Sequence, residues 1–363
     1  MNNLVCFHLF NDYSGSPKVL RMVLGGLAKK GESIDIVTSK GEGALSDLRQ
    51  WNDIRMHTYA YRFSNNPAVT MARYFGVQIY MFFFALRYLS NRNATFYINT
   101  LLPVGGALAG RLTGKRVIYH YHENADAKGR FYKILCWLMQ HLASEIICVS
   151  KYQRSFLSRE TGVTVIPNAI SQELSQSLHP HATTAFEQKR VLMLGSLKRY
   201  KGTLEFIELA RRMKEYLFEL VLNETPENIA AFWKTNGIEQ PGNLTVHPRQ
   251  YDVAPFYNRA SIVLNLSNKN LFIETFGLTA LEAMSAGLPV IVPTVGGIAE
   301  MVENGINGYK IDVEDLDKIE DTIRVLFSDK DLYLQLSENA LQYSRKYNVE
   351  RMVEKISDII DRK

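Results

Sequence analysis

Two glutamates, Glu274 and Glu282, stand eight positions apart in the stretch IETFGLTALEAMSAGLPVIVP, residues 273–293. The pattern predicts a loop that carries Glu274, followed by a helix that begins at Gly277 and carries Glu282. The first N–H groups of a helix lack partners within it and therefore suit a diphosphate. The residues assigned to that helix end are Phe276, Gly277, Leu278 and Thr279. Glu274, beyond the helix end, would accept hydrogen bonds from sugar hydroxyls, and Glu282, on the helix, would accept a pair of hydrogen bonds from a ribose diol. Carboxylates on both sides of a diphosphate site therefore suit a ligand with hydroxyl groups at both ends, such as a nucleotide sugar.

A second candidate for binding the diphosphate is the stretch LGSLKRYKG, residues 194–202. Lys201 ends a glycine-containing loop after a predicted strand, where its ammonium group would neutralise a phosphate. Ser196, Lys198 and Arg199 lie in the same loop. An ordinary surface lysine is the alternative interpretation of Lys201.

The amino-terminal half offers fewer candidates. Gly15 and Ser16 follow the first predicted strand and would let backbone approach a diphosphate or an acceptor, although a plain turn is the alternative. His120 and His122 alternate along one strand and therefore share a face. No third ligand accompanies them, so we predict no metal site. His122, at the carboxyl end of the strand, is the residue expected to face the ligand, with a hydrogen-bonded structural histidine as the alternative.

Short apolar runs alternate with helical patterns, which predicts βαβ units and parallel sheets covered on both faces. Residues 1–170 form one such series, the polar residues 171–188 predict a linker, and residues 189–335 form a second series. Residues 336–363 are predicted as C-terminal helices that pack back on the first domain and link the two domains. The fold class is α/β, with two Rossmann-like domains.

Thirteen strands are predicted, of which 54–60 has the weakest pattern. Those of the first series are 4–10, 33–38, 54–60, 95–99, 116–122, 145–150 and 163–167. Those of the second series are 190–196, 218–223, 243–248, 261–266, 288–293 and 308–311.

Length, composition and charge bound the class of protein. The 363 residues, 46% of them apolar, suit a soluble globular chain of two domains. Residues 1–170 hold 20 Lys and Arg against 10 Asp and Glu, whereas residues 171–363 hold 22 against 27. The basic half predicts an anionic partner or a merely solvated surface, but no RNA-binding motif accompanies it, so nucleic acid is not expected. No leader pattern is visible, and Cys6, Cys136 and Cys148 stand far apart among apolar residues, which predicts a cytoplasmic location.

The run YFGVQIYMFFFAL, residues 74–86, lies between Arg73 and Arg87. Its 13 residues are fewer than the about 20 that a bilayer span requires, so the sequence does not predict a crossing. Two interpretations stay open. The run is either a helix at the inner face of the cell membrane, with Arg73, Arg87 and Arg92 on anionic headgroups, or a buried core helix.

Residues 274–311, ETFGLTALEAMSAGLPVIVPTVGGIAEMVENGINGYKI, resemble the signature block of retaining GT-B glycosyltransferases of the group 1 kind (family four). The residues that match this pattern are Glu274, Phe276, Gly277, Glu282, Ala283, Met284, Gly287, Pro289, Val290, Gly296, Gly297 and Glu300. Further resemblances extend over most of the chain. They are SGSPKVLRMVLGGLAKKG (14–31), YHE (121–123), IPNAI (166–170) and the loop LGSLKRYKG.

The resemblance implies a GT-B glycosyltransferase whose two domains face each other across a cleft. The second domain would hold a nucleotide-diphosphate sugar, with UDP or GDP expected, and the first domain would take the acceptor. Transfer would retain the anomeric configuration and would need no cofactor and no metal. Glu274 would orient the sugar and Lys201 would neutralise the diphosphate, so the catalytic residues are expected to be Glu274, Lys201 and His122.

Two positions depart from the family pattern. Ser196 stands where the family has an arginine, and either Lys198 or Arg199 would have to supply the missing cation. Thr275 stands where many members have glycine, which leaves the identity of the sugar open.

The function expected is hexosyl transfer to a glycan or a lipid-linked acceptor in the synthesis of a surface polysaccharide, such as capsule or lipopolysaccharide. A nucleotide-sugar 2-epimerase of GT-B fold is one alternative. A non-catalytic nucleotide-sugar-binding subunit is another, which Ser196 favours and Glu274 and Lys201 disfavour. A NAD-dependent dehydrogenase is disfavoured because no GxGxxG follows the first strand.

Overall fold

The computed structural model describes residues 3–362, which divide into two compact units. The first unit contains the chain up to Asn168 and again from Val349 onward, and the second contains Ala169–Asn348. Each unit is built around one parallel sheet with helices on its faces. The predicted α/β class with two Rossmann-like domains is therefore confirmed.

Within residues 3–362, all thirteen predicted strands are present, most of them shorter at their ends than predicted. The first sheet has the order β3-β2-β1-β4-β5-β6-β7, with Val5 of β1 opposite Asp35 of β2 and Phe96 of β4. Its strands are β1 Asn3–Phe7, β2 Ser33–Ser39, β3 Ile54–Tyr59, β4 Ala94–Asn99, β5 Arg116–Tyr121, β6 Glu145–Cys148 and β7 Val163–Val165. The second sheet has the order β10-β9-β8-β11-β12-β13. Its strands are β8 Arg190–Gly195, β9 Leu217–Leu222, β10 Leu244–His247, β11 Ile262–Leu264, β12 Val290–Val292 and β13 Gly308–Lys310.

The helices follow the same division. Those of the first unit are α1 Gly15–Lys29, α2 Pro67–Ala85, α3 Val104–Leu112, α4 Arg130–Leu142, α5 Lys151–Arg154 and α14 Val349–Asp361. Those of the second unit are α6 Gln172–Ser177, α7 Ala182–Gln188, α8 Thr203–Arg212, α9 Pro226–Thr235, α10 Ala254–Arg259, α11 Leu278–Ser285, α12 Leu316–Ser328 and α13 Lys330–Ser344. Short 3₁₀ helices span Ser46–Gln50, Leu86–Tyr88, Arg199–Lys201 and Gly297–Met301.

Residues 171–188, predicted as a linker, form two helices of the second unit instead. Ser171 caps α6 by accepting a hydrogen bond from the backbone N–H of Leu174, at 3.2 Å. Ala185 of α7 is buried, and the neighbouring Phe186 ring lies 5.3 Å from the Tyr333 ring. A few apolar contacts are thus enough to order a segment of polar composition.

The C-terminal helices also divide differently from the prediction. The region from 336 was expected to pack on the first domain as a whole, but α13 belongs to the second unit and only α14 belongs to the first. The apolar face of α14 packs against α1, where a Cβ on Gly26 would lie 2.5 Å from a methyl group of Val353. The absence of a side chain at Gly26 therefore lets the two helices approach closely.

Helix α2 is longer than the 13-residue apolar run suggested. With the 3₁₀ turn that follows, it spans Pro67–Tyr88, 22 residues, which by length and composition alone would suffice to cross a membrane. One face of α2 lies in the core of the first unit, where Tyr74, Val77 and Met81 are buried. A helix with one face in the core also fits a soluble domain.

In each sheet the strand order reverses at one point, between β1 and β4 and between β8 and β11. At such a point the connections leave toward opposite faces, so a crevice opens beyond the carboxyl ends of the strands, where ligands of α/β proteins bind. Lys201 follows β8, and Glu274 lies on the loop after β11. His8, Asn99 and His122 lie at the ends of β1, β4 and β5.

Candidate active site

The structure brings Lys201 and Glu274 together at the reversal point of the second sheet. The ammonium group of Lys201 donates a hydrogen bond to Glu274 Oε1, and the hydroxyl of Ser267 donates to the same oxygen at 2.8 Å. Ser267 is buried, whereas Lys201 and Glu274 keep about a quarter and a seventh of their side chains accessible, 26% and 14%. A ligand can therefore still reach both charges.

Each partner of this ion pair shifts the pKa of the other. Burial alone would raise the pKa of Glu274, but the Lys201 charge and the hydrogen bonds from Lys201 and Ser267 hold it below its ordinary value. Burial alone would lower the pKa of Lys201, and the Glu274 carboxylate raises it above its ordinary value instead. Both groups are therefore charged at neutral pH.

Two aromatic rings hold the Lys201 side chain in place. Tyr200 and Phe272 stack with their centroids 4.5 Å apart and their planes inclined by 22°. The Lys201 ammonium lies 5.6 Å from each centroid, within the range of a cation–π contact. The rings come from the loops after β8 and β11, so the stack also fixes the two loops relative to each other.

Two glycines are required by the backbone around Glu274. Gly277 has φ +93°, and a Cβ there would lie 2.4 Å from the Ile298 side chain. Gly296 has φ +113°, and a Cβ there would lie 2.5 Å from the carbonyl oxygen of Glu274. The N–H of Gly297 donates to that carbonyl at 2.9 Å. The glycine pair thus holds the Glu274 backbone at the start of α11.

The predicted helix end lies at the first turn of α11, which begins at Leu278. Leu278 and Thr279 are half-buried, and because they begin the helix their N–H groups have no acceptor within it. The side chain of Phe276 is buried against Tyr347, with ring centroids 5.9 Å apart. Only the backbone of Phe276 can therefore serve a ligand, while its ring anchors the loop in the core.

Glu282 lies one turn further along α11 and is half-buried. Its Oε2 accepts a hydrogen bond from the phenol of Tyr257 at 2.6 Å. Tyr257 belongs to α10 and is completely buried. The carboxylate that was predicted to bind ribose is thus held from inside the core.

The other residues of the loop that contains Lys201 differ in their exposure and in their hydrogen-bond partners. Arg199 is exposed and donates to Glu205 at 2.5 Å. Lys198 is exposed, and its ammonium lies 5.9 Å from the Tyr200 ring. The carbonyl of Ser196 accepts a hydrogen bond from the Thr203 hydroxyl at 3.0 Å, which ties the loop to the start of α8.

In the first unit, His122 lies at the reversal point beside Asn99 and His8. His122 Nε2 donates to Asn99 Oδ1 at 3.0 Å, and Asn99 Nδ2 lies 3.0 Å from His8 Nδ1. His120 and His122 share a face as predicted, with ring centroids 4.1 Å apart, but His120 is completely buried and bonds to Tyr97 at 2.7 Å. Of the two, His122 is the half-buried one that a ligand can reach.

Burial keeps these imidazoles neutral at physiological pH. It lowers the pKa of His8 to about 4 and that of His120 to about 3. Burial also lowers the pKa of His122 well below its ordinary value, and the nearby His120 and His8 lower it further. Across residues 3–362, no three His, Cys, Asp or Glu side chains are grouped as metal ligands would be.

Gly15 and Ser16 form the first turn of α1, directly after the loop that follows β1. The carbonyl of Ser16 lies 3.5 Å from Asn99 Nδ2, so this turn borders the histidine cluster. Gly15 is exposed. Both residues therefore lie at the edge of the sheet where the prediction placed them.

Four polar residues of these clusters were not predicted as site residues: Ser267, Asn99, His8 and Tyr257. Only part of the signal for Ser267 and Asn99 was available in the sequence: both are polar residues at or just after the carboxyl end of a predicted strand, but the structure alone shows that those strands flank the reversal points. No such signal marks Tyr257, which lies in a helix.

The pairing of two Rossmann-like units, the second with a lysine and a glutamate at its reversal point, is that of the GT-B fold. Solved structures share this fold along the whole chain. HepE of Anabaena, solved with UDP and glucose, has a TM-score of 0.78 at 17% identity, with 99% of both chains covered. WaaG, a glycosyltransferase involved in lipopolysaccharide biosynthesis, has a TM-score of 0.72 at 16% identity, again with 99% of both chains covered.

The family models agree with the fold. Residues 13–174 match the model of Glycosyltransferase Family 4, and residues 179–343 match that of Glycosyl transferases group 1. An uncharacterized glycosyltransferase of Haemophilus influenzae is 23% identical over 361 residues, which cover 95% of this chain and 96% of that one. This chain is a GT-B glycosyltransferase of the group 1 kind.

Proposed function

We propose that the protein transfers a hexose from a uridine diphosphate sugar to a hydroxyl group of an acceptor and retains the anomeric configuration. The observation that carries the proposal is the Lys201–Glu274 pair beside the first turn of α11. A cation and free amide groups there suit a diphosphate, and the adjoining carboxylate suits sugar hydroxyls. UDP is preferred over GDP because HepE, which has the same fold, binds UDP-glucose.

The reaction needs stabilisation of a departing diphosphate and of a sugar carbon with oxocarbenium character. Lys201 and the N–H groups at the start of α11 would bear the charge of the diphosphate. Glu274 would accept hydrogen bonds from the sugar hydroxyls and so orient the sugar. A phosphate oxygen of the leaving group would take the proton of the acceptor hydroxyl as the new glycosidic bond forms.

The proposal includes no metal ion. The charge of the diphosphate would be met by Lys201 and by a second cation from the same loop. We assign that second cation to Lys198, in place of the family arginine that is Ser196 here. Arg199 is the weaker candidate because Glu205 already neutralises its guanidinium group.

His122, Gly15 and Ser16 are assigned to the sugar and acceptor side of the reaction. His122 would act as a neutral hydrogen-bonding group, since burial holds its pKa well below the ordinary value. Gly15 and Ser16 would present backbone to the acceptor or the diphosphate.

The acceptor proposed is a glycan or a lipid-linked sugar at the cytoplasmic face of the membrane, in the assembly of a surface polysaccharide. The involvement of WaaG, which has the same fold, in lipopolysaccharide biosynthesis supports this proposal.

One surface of the first unit also supports an acceptor at the membrane. The exposed apolar side chains of its three consecutive helices α2, α3 and α4 include Phe75, Ile79, Phe83, Leu108, Leu112, Ile134 and Trp137. Because α2 packs on α3 and α3 on α4, these side chains lie on neighbouring helices, and we refer to them together as the three-helix face.

The charges around this face favour a contact with anionic lipid. Between Asp53 and Glu123 the chain contains eight Lys and Arg residues and no acidic residue. Arg73 is exposed and donates to a backbone carbonyl at 3.0 Å, so its charge is not cancelled there. Apolar side chains flanked by arginines suit peripheral binding at a membrane interface.

The test of the function is a thermal-shift screen of the purified chain against UDP-, GDP-, ADP- and dTDP-sugars, because a bound donor stabilises the folded state. We expect the largest shift with a UDP-sugar. NMR of the product made from that donor then reports the anomeric configuration. The absence of any shift would contradict the proposed donor, and an inverted product would contradict retention.

A further inference from the structure

Tyr257 is a buried residue that touches the site through a single atom. Its side chain is 0% exposed, and its phenol oxygen lies 2.6 Å from Glu282 Oε2. The carbonyl of Thr279 lies 3.5 Å from the same oxygen, at the limit of a hydrogen bond. Glu282 is therefore the main acceptor for this hydroxyl.

The phenol is a dependable donor. Burial raises the pKa of Tyr257 well above its ordinary value, and the charge of Glu282 raises it further. The group is therefore protonated at neutral pH. A hydrogen bond from a neutral hydroxyl to a carboxylate is among the stronger kinds.

The two partners differ in how firmly they are held. Tyr257 is fixed by packing, because it lies in the core and cannot move without opening a cavity. Glu282 is half-buried on α11 and has a long side chain with several rotamers. The hydrogen bond from this fixed donor therefore restricts the rotamers that the Glu282 carboxylate can adopt.

We infer that Tyr257 is a positioning residue that holds the Glu282 carboxylate for the two hydroxyls of a ribose. The inference rests on the proposed function, since it takes Glu282 to bind the ribose of the donor. A carboxylate locked in one rotamer loses less freedom when a diol binds, so the affinity for the nucleoside diphosphate rises. Tyr257 itself touches no substrate.

The test is calorimetric binding of UDP, GDP and ADP to wild type and to Tyr257→Phe. The nucleotide that wild type binds most tightly is then compared with its 2′,3′-dideoxy analogue. Tyr257→Phe should weaken the parent nucleotide by about 10-fold, as expected for one lost hydrogen bond to a charged group. The dideoxy analogue should bind both proteins equally, because it has no diol for Glu282 to hold.

Tyr333→Phe is the matched control. Tyr333 is also completely buried in the second unit, and its phenol donates to the carbonyl of Ser261 at 2.7 Å. Its loss should change the stability of the fold without changing nucleotide affinity. In a Glu282→Ala background, Tyr257→Phe should have no further effect on affinity, since the two residues act through one contact.

Equal weakening of the parent and dideoxy nucleotides by Tyr257→Phe would overturn the inference in favour of a merely structural role. Unchanged affinity for the parent nucleotide would overturn it as well. If wild type bound none of the three nucleotides, the proposed function would fail and the inference with it, an outcome that is distinct because it is seen before any variant is made.

Discussion

At the scale of single residues, the proposed function gives the Lys201–Glu274 pair two tasks that a glycosyltransferase must perform side by side. A positive group has to meet the diphosphate and a negative group has to meet the sugar. Because the pKa of Glu274 is lowered and that of Lys201 is raised, neither charge is lost in the neutral pH range. A bound donor would then insert between two groups that are already charged and partly oriented.

Glu282→Ala should weaken donor binding far more than it slows the bound complex. The proposed ribose contact is present in the ground state and the transition state alike, so its loss raises KM and leaves kcat nearly unchanged. We expect the Kd for UDP to rise by about 10-fold or more. Calorimetry and initial-rate kinetics measure the two effects, and unchanged UDP affinity would rule out the ribose role.

Transfer should proceed without divalent metal and should depend on Lys201 instead. Lys201→Ala should lower kcat by about 100-fold, the usual effect of removing one group that stabilises developing charge. Excess EDTA should leave the wild-type rate unchanged. The exposed Lys214, changed to alanine, serves as a control of equal charge change. Complete loss of turnover in EDTA, restored by Mg²⁺ or Mn²⁺, would refute the proposal.

The residues of the site were predictable to different degrees. Lys201, Glu274 and Glu282 follow from local spacing, because a helix start, a loop and a strand are short-range patterns. Ser267 and Asn99 depend on which strands are neighbours, which a sequence alone does not order. Tyr257 reaches Glu282 from another helix, 25 positions away in the chain, and only tertiary packing brings it there.

At the scale of elements, strands were found where apolar runs occur because both faces of a parallel sheet are buried. The structures of segments 171–188 and 67–88 were harder to predict from the sequence. The first is polar yet helical, because capping by Ser171 and packing of Ala185 outweigh its composition. The second is a single helix whose length is underestimated by a count of consecutive apolar residues, because Arg73 interrupts the apolar pattern two turns into the helix. Asn66 caps it by accepting from the N–H of Ala68 at 2.9 Å.

The three-helix face of the first unit should bind anionic vesicles reversibly. Each basic residue near such a surface contributes about 1 kcal/mol, so Arg73→Glu combined with Arg87→Glu should abolish co-sedimentation with phosphatidylglycerol vesicles. Phe83→Asp, at a side chain that is 64% exposed, should weaken binding without unfolding the protein. Binding should also fall with salt, since exposed charges are screened beyond about 8 Å at physiological ionic strength.

The control for this experiment reverses two exposed lysines of the second unit, Lys234→Glu and Lys318→Glu. It changes the net charge by the same amount and should leave vesicle binding unaltered. Equal co-sedimentation of the Arg73/Arg87 variant and wild type with the vesicles, or no co-sedimentation of either, would contradict the membrane proposal. The assignment as a glycosyltransferase would stand in either case.

At the scale of the whole molecule, each unit has a buried acid in the strand next to the first strand of its sheet. Asp35 of β2 accepts from Arg55 at 2.9 Å and lies 2.8 Å from His57. Glu219 of β9 is bonded by Arg259 and lies 2.8 Å from His247. Burial alone would raise the pKa of each carboxyl, but these partners hold both below their ordinary values.

These two acids should make the protein sensitive to acid. A lowered folded-state pKa contributes stability that is present above the unfolded pKa, about 4, and is lost as pH falls through the folded value. Asp35→Asn should therefore reduce the free energy of unfolding by about 2 kcal/mol at pH 7, and the difference should shrink below about pH 4.

Urea denaturation at several pH values measures this dependence. Asp47→Asn is the control, because Asp47 pairs with Arg21 at 2.6 Å but remains 41% exposed. It should change stability by less than about 1 kcal/mol at any pH. A constant difference between Asp35→Asn and wild type from pH 7 to pH 3 would show that the Asp35 carboxylate is not the source.

The packing of α14 on α1 sets an order of events during synthesis. The ribosome delivers α1 early, but its partner follows only after the whole of Ala169–Asn348 has been translated. At bacterial or eukaryotic elongation speeds that interval is roughly ten seconds or more. For that time the apolar surface of α1 opposite Val353 has no native cover, so the unit that is translated first is the last to be completed.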